Sequence, residues 1–175
     1  MAELRVPIIC TVIGEGGNGP DWVGAGSGDD TVNGEAGNDW LWGQAGNDTL
    51  NGGDDNDRLW GWAGDDKLDG GLGDDRAWGG TGNDTITGAD GRDRLGGGDG
   101  NDTIDGGPGN DRMAGGTGDD VQNGGDGNLS VTIGGGSQVL FDSSSKSLRP
   151  RSSAGPNVFT ITGGRITGFV EYFDT

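Results

Sequence analysis

From Gly16 onward, one apolar residue recurs in every nine, at Val23, Val32, Leu41, Leu50, Leu59, Leu68, Ala77, Ile86, Leu95, Ile104 and Met113. Written in nines the chain reads GGNGPDWVG, AGSGDDTVN, GEAGNDWLW, GQAGNDTLN, GGDDNDRLW, GWAGDDKLD, GGLGDDRAW, GGTGNDTIT, GADGRDRLG, GGDGNDTID, GGPGNDRMA and GGTGDDVQN, twelve uninterrupted nonads ending at Asn123. The eighth place is apolar in all but the last, where Gln122 stands; the sixth is Asp in all twelve, and the fourth is Gly in all but one, Asp55 being the exception. A thirteenth copy, GGDGNLSVT, has lost its aspartate to Leu129. Self-similarity at a fixed short period predicts a solenoid, whose units bury their apolar sides only against each other. The last three places alternate polar, apolar, polar as a short strand does, and the six glycine-rich places before them suit a tight turn. Two nonads then make one 18-residue coil with two strands and two turns, so the fold class is all-β.

The flanks read differently. The mostly apolar run Val6–Ile13, broken by Pro7 and followed by Glu15, reads as an opening strand capping the first coil over residues 1–15, not as a signal peptide. The roll itself spans 16–132. Beyond Asn128, LSVTIGGGSQVLF and VFTITGGRITGFVEYF each suggest a hairpin, joined by the Ser/Pro/Arg-rich loop from Ser143 to Pro156, and the segment 133–175 reads as a C-terminal β cap over the last coil. The serines of that loop have no candidate base and are read as loop composition.

Composition makes an ordinary core impossible. Only 29% of the 175 residues are hydrophobic and 43 are glycine. The formal charge is -18, and it belongs to the repeats: residues 1–123 hold 25 acidic and 7 basic side chains, whereas 124–175 hold four of each. Low hydrophobicity with strong self-repulsion is the signature of a disordered chain, so this chain folds only on cations. With no histidine and a lone Cys10, it has neither His-dependent acid–base or zinc chemistry nor an internal disulfide, and it is read as non-catalytic. Nucleic acid does not suit this charge, and no stretch reaches transmembrane length.

Alternate nonads fall on opposite edges. Asp21, Asp39, Asp57, Asp75, Asp93 and Asp111 should line one edge, and Asp30, Asp48, Asp66, Asp84, Asp102 and Asp120 the other. Stacked strands lie roughly 4.8 Å apart, so neighbouring carboxylates in a column repel unless a cation sits between them. Calcium takes six to eight oxygen ligands in irregular geometry, which glycine-rich turns supply as carbonyls; magnesium demands a stricter octahedron. Six turns leave five gaps on each edge, so about ten Ca2+ would offset the formal charge of -18. Individual turns should differ: Asp55 is expected to strain its turn, Arg92 to weaken the site at Asp93, and Leu129 to end the array.

The pattern GGxGxDxUx, with U apolar, resembles the repeats-in-toxin (RTX, hemolysin-type) family of calcium-binding β-rolls over about two thirds of the chain. The resemblance implies a right-handed parallel β-roll with calcium between stacked turns. It also implies secretion without an N-terminal signal peptide, often by a one-step exporter that reads an uncleaved C-terminal signal, to which the ending VEYFDT could belong.

If the eighth residue points inward, the seventh and ninth point out and residues 18 apart stack in columns. One face then carries Thr31, Thr49, Lys67, Thr85, Thr103 and Val121 beside Asn33, Asn51, Asp69, Thr87, Asp105 and Asn123. The other carries Trp22, Trp40, Arg58, Arg76, Arg94 and Arg112 beside Gly24, Trp42, Trp60, Trp78, Gly96 and Ala114, with Trp62 in the adjoining turn. A Trp/Arg face suits a protein partner or self-association. It also suits a polysaccharide, and it equally suits cross-strand stacking or cover by the C-terminal segment. The Thr rows resemble an ice-binding surface, although Lys67, Asp69 and Asp105 interrupt them. The function expected is therefore a calcium-folded extracellular or cell-surface protein, structural, adhesive or self-assembling into surface, matrix or fibre. Two alternatives stay open: a folding and secretion module of a larger exported enzyme or toxin, and a glycan- or ice-binding protein.

Overall fold

The computed structural model describes residues 13–125, 129–133, 138–139, 157–162 and 165–170, with side chains described over 16–125. Every described element is a strand, and the strands fall into two sheets that the chain visits alternately. The Thr/Asn sheet runs β1 (Ile13–Asn18), β3 (Thr31–Ala36), β5 (Thr49–Asp54), β7 (Lys67–Leu72), β9 (Thr85–Asp90), β11 (Thr103–Asp105), β13 (Val121–Asn123) and β15 (Gln138–Val139). The Trp/Arg sheet runs β2 (Trp22–Ser27), β4 (Trp40–Ala45), β6 (Arg58–Ala63), β8 (Arg76–Thr81), β10 (Arg94–Asp99), β12 (Arg112–Thr117), β14 (Leu129–Ile133), β16 (Asn157–Thr162) and β17 (Arg165–Val170). Through the repeats, neighbours in each sheet are parallel and in 18-residue register, Trp22 against Trp40 and Thr31 against Thr49. This is the parallel solenoid of nonads expected from the sequence.

The eighth residue of each nonad points inward and is buried, from Val23 and Val32 through Met113, and Gln122 is buried in the same place. The core is thus a double file of single side chains, one from each sheet per coil. Each file member can stabilise the roll by about 1.5–3 kcal/mol, yet nine residues must be ordered to place it. Apolar burial alone does not account for this fold.

Three expectations are corrected. The strand is six residues long in most coils, running from the seventh place of one nonad to the third of the next, and the turn shrinks to places four to six. The glycine-rich places carry no alternation to betray a strand, but their backbone extends well enough to pair. Trp62 accordingly lies in β6 and not in a turn. Finally, LSVTIGGGSQVLF is not a hairpin, because β14 joins β12 in parallel while β15 joins β13 in the other sheet. The degenerate thirteenth nonad keeps Ser130, Val131 and Thr132 at the places that build a strand, so the coiling continues past the last aspartate.

The second C-terminal segment does form a hairpin: β16 pairs antiparallel with β14 and with β17, extending the Trp/Arg sheet. β11 and β13 stop three residues short of β3, β5, β7 and β9, and at the third place of the nonad that follows β11 Pro108 has no N–H to donate. The Val6–Val12 part of the opening run, Cys10, the Ser143–Pro156 loop and the ending Glu171–Thr175 lie outside the described residues.

Candidate metal centre

Each turn is three residues, of which the first is usually glycine with positive φ; Gly37 has φ 137, and a Cβ there would lie 2.6 Å from the carbonyl oxygen of Gly19, one coil below. Coil-on-coil stacking and backbone conformation therefore both demand glycine at the fourth place. Asp55 takes the same place with φ 78, where the glycines span 113 to 159, and the main-chain bond to the next coil that Gly46, Gly64 and Gly73 donate is not made there, so its turn departs locally from the common shape as the sequence leads one to expect.

The turn ends on the invariant aspartate, which faces inward. Asp30 through Asp120 at this place are almost fully buried and Asp21, on the first coil, is half-buried. They form the two columns read from the sequence, tied by a regular ladder. The Oδ1 of Asp39 accepts the main-chain N–H of Asp21, that of Asp57 the N–H of Asp39, and so on through Asp75, Asp93 and Asp111. The other edge repeats the ladder from Asp30 through Asp48, Asp66, Asp84 and Asp102 to Asp120, and all ten bonds measure 2.7–3.0 Å.

The second carboxylate oxygen has no such partner. The Oδ2 atoms of Asp39, Asp48, Asp57, Asp66, Asp75, Asp84, Asp93, Asp102 and Asp111 are buried without a hydrogen bond. Each points at the first glycine of its own nonad. A Cβ on Gly70 would lie 2.6 Å from Asp75 Oδ2 and 2.8 Å from the carbonyl oxygen of Gly88 in the next coil. Asp39 with Gly52, Asp57 with Gly70, Asp66 with Gly79, Asp93 with Gly106 and Asp102 with Gly115 repeat the arrangement. Two oxygens of negative character thus converge on one buried point at successive coils, and glycine is kept at the first place because any side chain would fill that point.

Burying carboxylates this way is costly. Desolvation raises the pKa of Asp57, Asp66 and Asp93 to about 7 and of Asp75, Asp102 and Asp111 to about 6, against the lowering effect of the main-chain N–H; repulsion from neighbouring aspartates adds to the rise. Asp39, Asp48 and Asp84 are raised for the same first reason. A cation between the oxygens removes that penalty. Among the described residues no three acidic side chains converge, so an ion here must draw most of its ligands from carbonyls. That donor set of hard oxygens suits calcium and not zinc.

A second ladder escaped the sequence reading. At the fifth place the side-chain Oδ1 reaches the opposite way, to the N–H of its counterpart in the following coil. Asp29 bonds Asn47, Asn47 bonds Asp65, Asp65 bonds Asn83, Asn83 bonds Asn101 and Asn101 bonds Asp119. On the other edge the series runs Asn38, Asn56, Asp74 and Arg92, where it stops because Arg has no acceptor to pass on. The signal was present: the fifth place is Asn or Asp in every nonad except those of Pro20 and Arg92.

The Trp/Arg columns also stand as read. Trp22 stacks on Trp40 at 4.9 Å between ring centroids, Trp42 on Trp60 at 5.5 Å and Trp60 on Trp78 at 5.7 Å, while the Arg58 guanidinium sits 4.7 Å above Trp40. Arg76, Arg94 and Arg112 continue the column strand by strand. Trp62 stands apart at the end of β6, with 61% of its surface exposed.

No curated protein matches the chain in a comparison of sequences. The family model for the RTX calcium-binding nonapeptide repeat matches it in four successive copies, over residues 15–50, 42–77, 69–104 and 96–128. With buried, unpartnered aspartate oxygens and facing carbonyls repeated along both edges of a parallel roll, the chain belongs to the family of RTX calcium-binding nonapeptide repeat proteins.

Proposed function

We propose that this chain is an extracellular or cell-surface structural protein whose roll forms on calcium and then presents its Trp/Arg face to a partner. The observation that carries the calcium half is the row of buried Oδ2 atoms on each edge, of which those of Asp39, Asp57, Asp66, Asp75, Asp93 and Asp102 converge with a carbonyl of the next coil. Calcium supplies positive charge there and closes an all-oxygen coordination sphere. The aspartates provide the charge, and their Oδ1 atoms fix the carboxylates by bonding the coil below. The carbonyls of Gly52, Gly70, Gly79, Gly88, Gly106 and Gly115 provide neutral ligands. About ten ions, five per edge, match the gaps between stacked turns, with individual affinities on the order of 10⁻⁴ to 10⁻³ M as in extracellular calcium modules. Such sites stay empty at cytosolic calcium and fill outside, so the chain leaves the cell unfolded and stiffens after export.

The regular stacking of coils along both edges supports a structural role for the roll. Far-UV circular dichroism with sedimentation during a calcium titration tests this reading, with magnesium as control. A steep gain of β signal with calcium alone supports it; full β signal in chelator at neutral pH overturns it.

A further inference from the structure

At the seventh, ninth and second places the strands β2 to β12 of the Trp/Arg sheet hold no acidic residue, in a chain of formal charge -18, and Asp99 at the third place of β10 is the one exposed acid among them. Seventh-place residues give two Trp and four Arg, ninth-place residues three Trp with Gly and Ala, and second-place residues Gly26, Gln44, Trp62, Gly80, Gly98 and Gly116. Like charges directly opposite on neighbouring strands destabilise a sheet, yet Arg58, Arg76, Arg94 and Arg112 stand in register. At the turnward end Arg94 and Arg112 share a cleft of about 80 Å³ with Asp74, Arg92, Asp93 and Asn110. Asp93 there is inward and buried while Asp74 is exposed, so toward solvent three arginines face one carboxylate and the cleft stays cationic.

Trp62 adds an independent sign. The second place takes positive φ and is most often glycine, but Trp62 holds φ 80 and Gln44 φ 81. For a bulky aromatic this is a strained conformation, and strain of this kind gathers at binding sites. Trp62 is absent from the ring stack and exposed, and with Trp42, Gln44, Gly24, Ala45 and Ala63 it lines a groove of about 400 Å³, the size of a small-ligand site. A residue that costs the fold stability and packs little in return is explained by what it touches from outside.

We propose that this face binds an acidic polysaccharide laid across the coils, its sugar rings against Trp62 and Trp42 and its carboxylate or sulfate groups on the arginine column. The inference rests on the proposed calcium-folded roll and names the partner of its Trp/Arg face. Charge complementarity selects this occupant. A second copy docking by the same face would bring two columns of four arginines together with only Asp99 of each copy to offset them, whereas a polyanion meets every arginine along the column. Indole faces take the C–H faces of sugars, and the Gln44 amide offers both a donor and an acceptor to hydroxyls.

The test uses the full chain in calcium, with β signal recorded on each sample, and hyaluronan oligosaccharides and dextran sulfate fragments as probes. Neutral dextran and polyglutamate serve as controls. Binding should appear with one or both acidic glycans, hyaluronan reporting the carboxylate arm and dextran sulfate the sulfate arm, and should weaken with salt. Arg94→Ala with Arg112→Ala should flatten that salt dependence without loss of β signal. Trp62→Gly should weaken glycan binding roughly fivefold to tenfold while the melting temperature holds or rises by a few degrees, since it releases the strain. A fall in melting temperature on Trp62→Gly would mean the ring packs for the fold, and would overturn the site. Equal binding of polyglutamate would make the face a site for acidic protein. A calcium-loaded dimer lost on Arg94→Ala would make a second copy the partner, its acidic edge meeting the arginine column. A folded roll that ignores both acidic glycans overturns the glycan surface alone; a chain with no calcium-dependent fold overturns the roll and the surface with it.

Discussion

The two edges of this molecule are alike and its two faces are not. Both edges carry the same turn, the same inward aspartate and the same pair of ladders running in opposite directions, Asp to the coil below and Asn or Asp to the coil above. The faces share only their register: one offers Thr and Asn rows with Lys67, Asp69 and Asp105 among them, the other stacked indoles and arginines with Asp99 the one acid among its strands β2 to β12. The difference shows which places the fold constrains. Places one, four and six face the interior or the stacking axis and allow almost one residue type each, place eight takes apolar residues of several sizes, and places seven and nine face solvent and are free to carry function.

Changes at the edges should therefore be large and similar on both sides, and changes at the faces small and unequal. The largest effect expected is that of a chelator, which should abolish the β signal at neutral pH. Next comes Gly70→Ala, whose new methyl group would occupy the point shared by Asp75 Oδ2 and the Gly88 carbonyl; thermal melts should show a loss of about 1–3 kcal/mol and a weaker response to calcium. Ala25 holds the equivalent place in the coil that starts the array, beside Asp30. The substitution Ala25→Gly should move calcium response the other way.

Acidification offers a third test. The raised aspartates hold protons more tightly folded than unfolded, so protonation favours the metal-free fold. That contribution is complete below the ordinary carboxylate value of 3.8 and is lost as pH rises through 6 to 7. Circular dichroism in chelator should then show β signal gained as pH falls from 8 toward 4, and the calcium requirement should be greatest above pH 7. A metal-free chain equally disordered at both ends of that range would contradict the burial argument.

Smaller effects separate the faces. Trp60→Ala removes the middle ring of the Trp42–Trp60–Trp78 stack, and should cost about 1–3 kcal/mol by chemical denaturation of the calcium-loaded roll. Asn51→Ala at the corresponding place on the exposed opposite face should stay within about 0.5 kcal/mol. Arg92→Asn restores a side-chain acceptor to the fifth-place column that breaks there, and should raise stability by about 0.5–1.5 kcal/mol.

Much of this was legible in the sequence because the period is strict. An Asp at one place in nine, twelve times, fixes the coil length, assigns Asp21 and Asp30 to opposite edges and puts Trp42, Trp60 and Trp78 in one column without any knowledge of angles. The strand length was hidden because glycines at the first and second places show no alternation, and Trp62 was misplaced with them. The Asn/Asp ladder was hidden in plain view, since small polar residues in turns are expected for local reasons and their bond to the next coil has no signature within one nonad. The further coil made by β14 and β15 was hidden because it keeps strand places but has lost the aspartate that marks a turn.

The buried Oδ2 atoms exist to hold calcium. Anomalous scattering from crystals grown in calcium tests it most directly. Peaks should lie along both edges, each beside an Oδ2 such as that of Asp75 and a carbonyl such as that of Gly88. Peaks confined to the exposed fifth-place side chains, or none beside the buried aspartates of a folded roll, would contradict it.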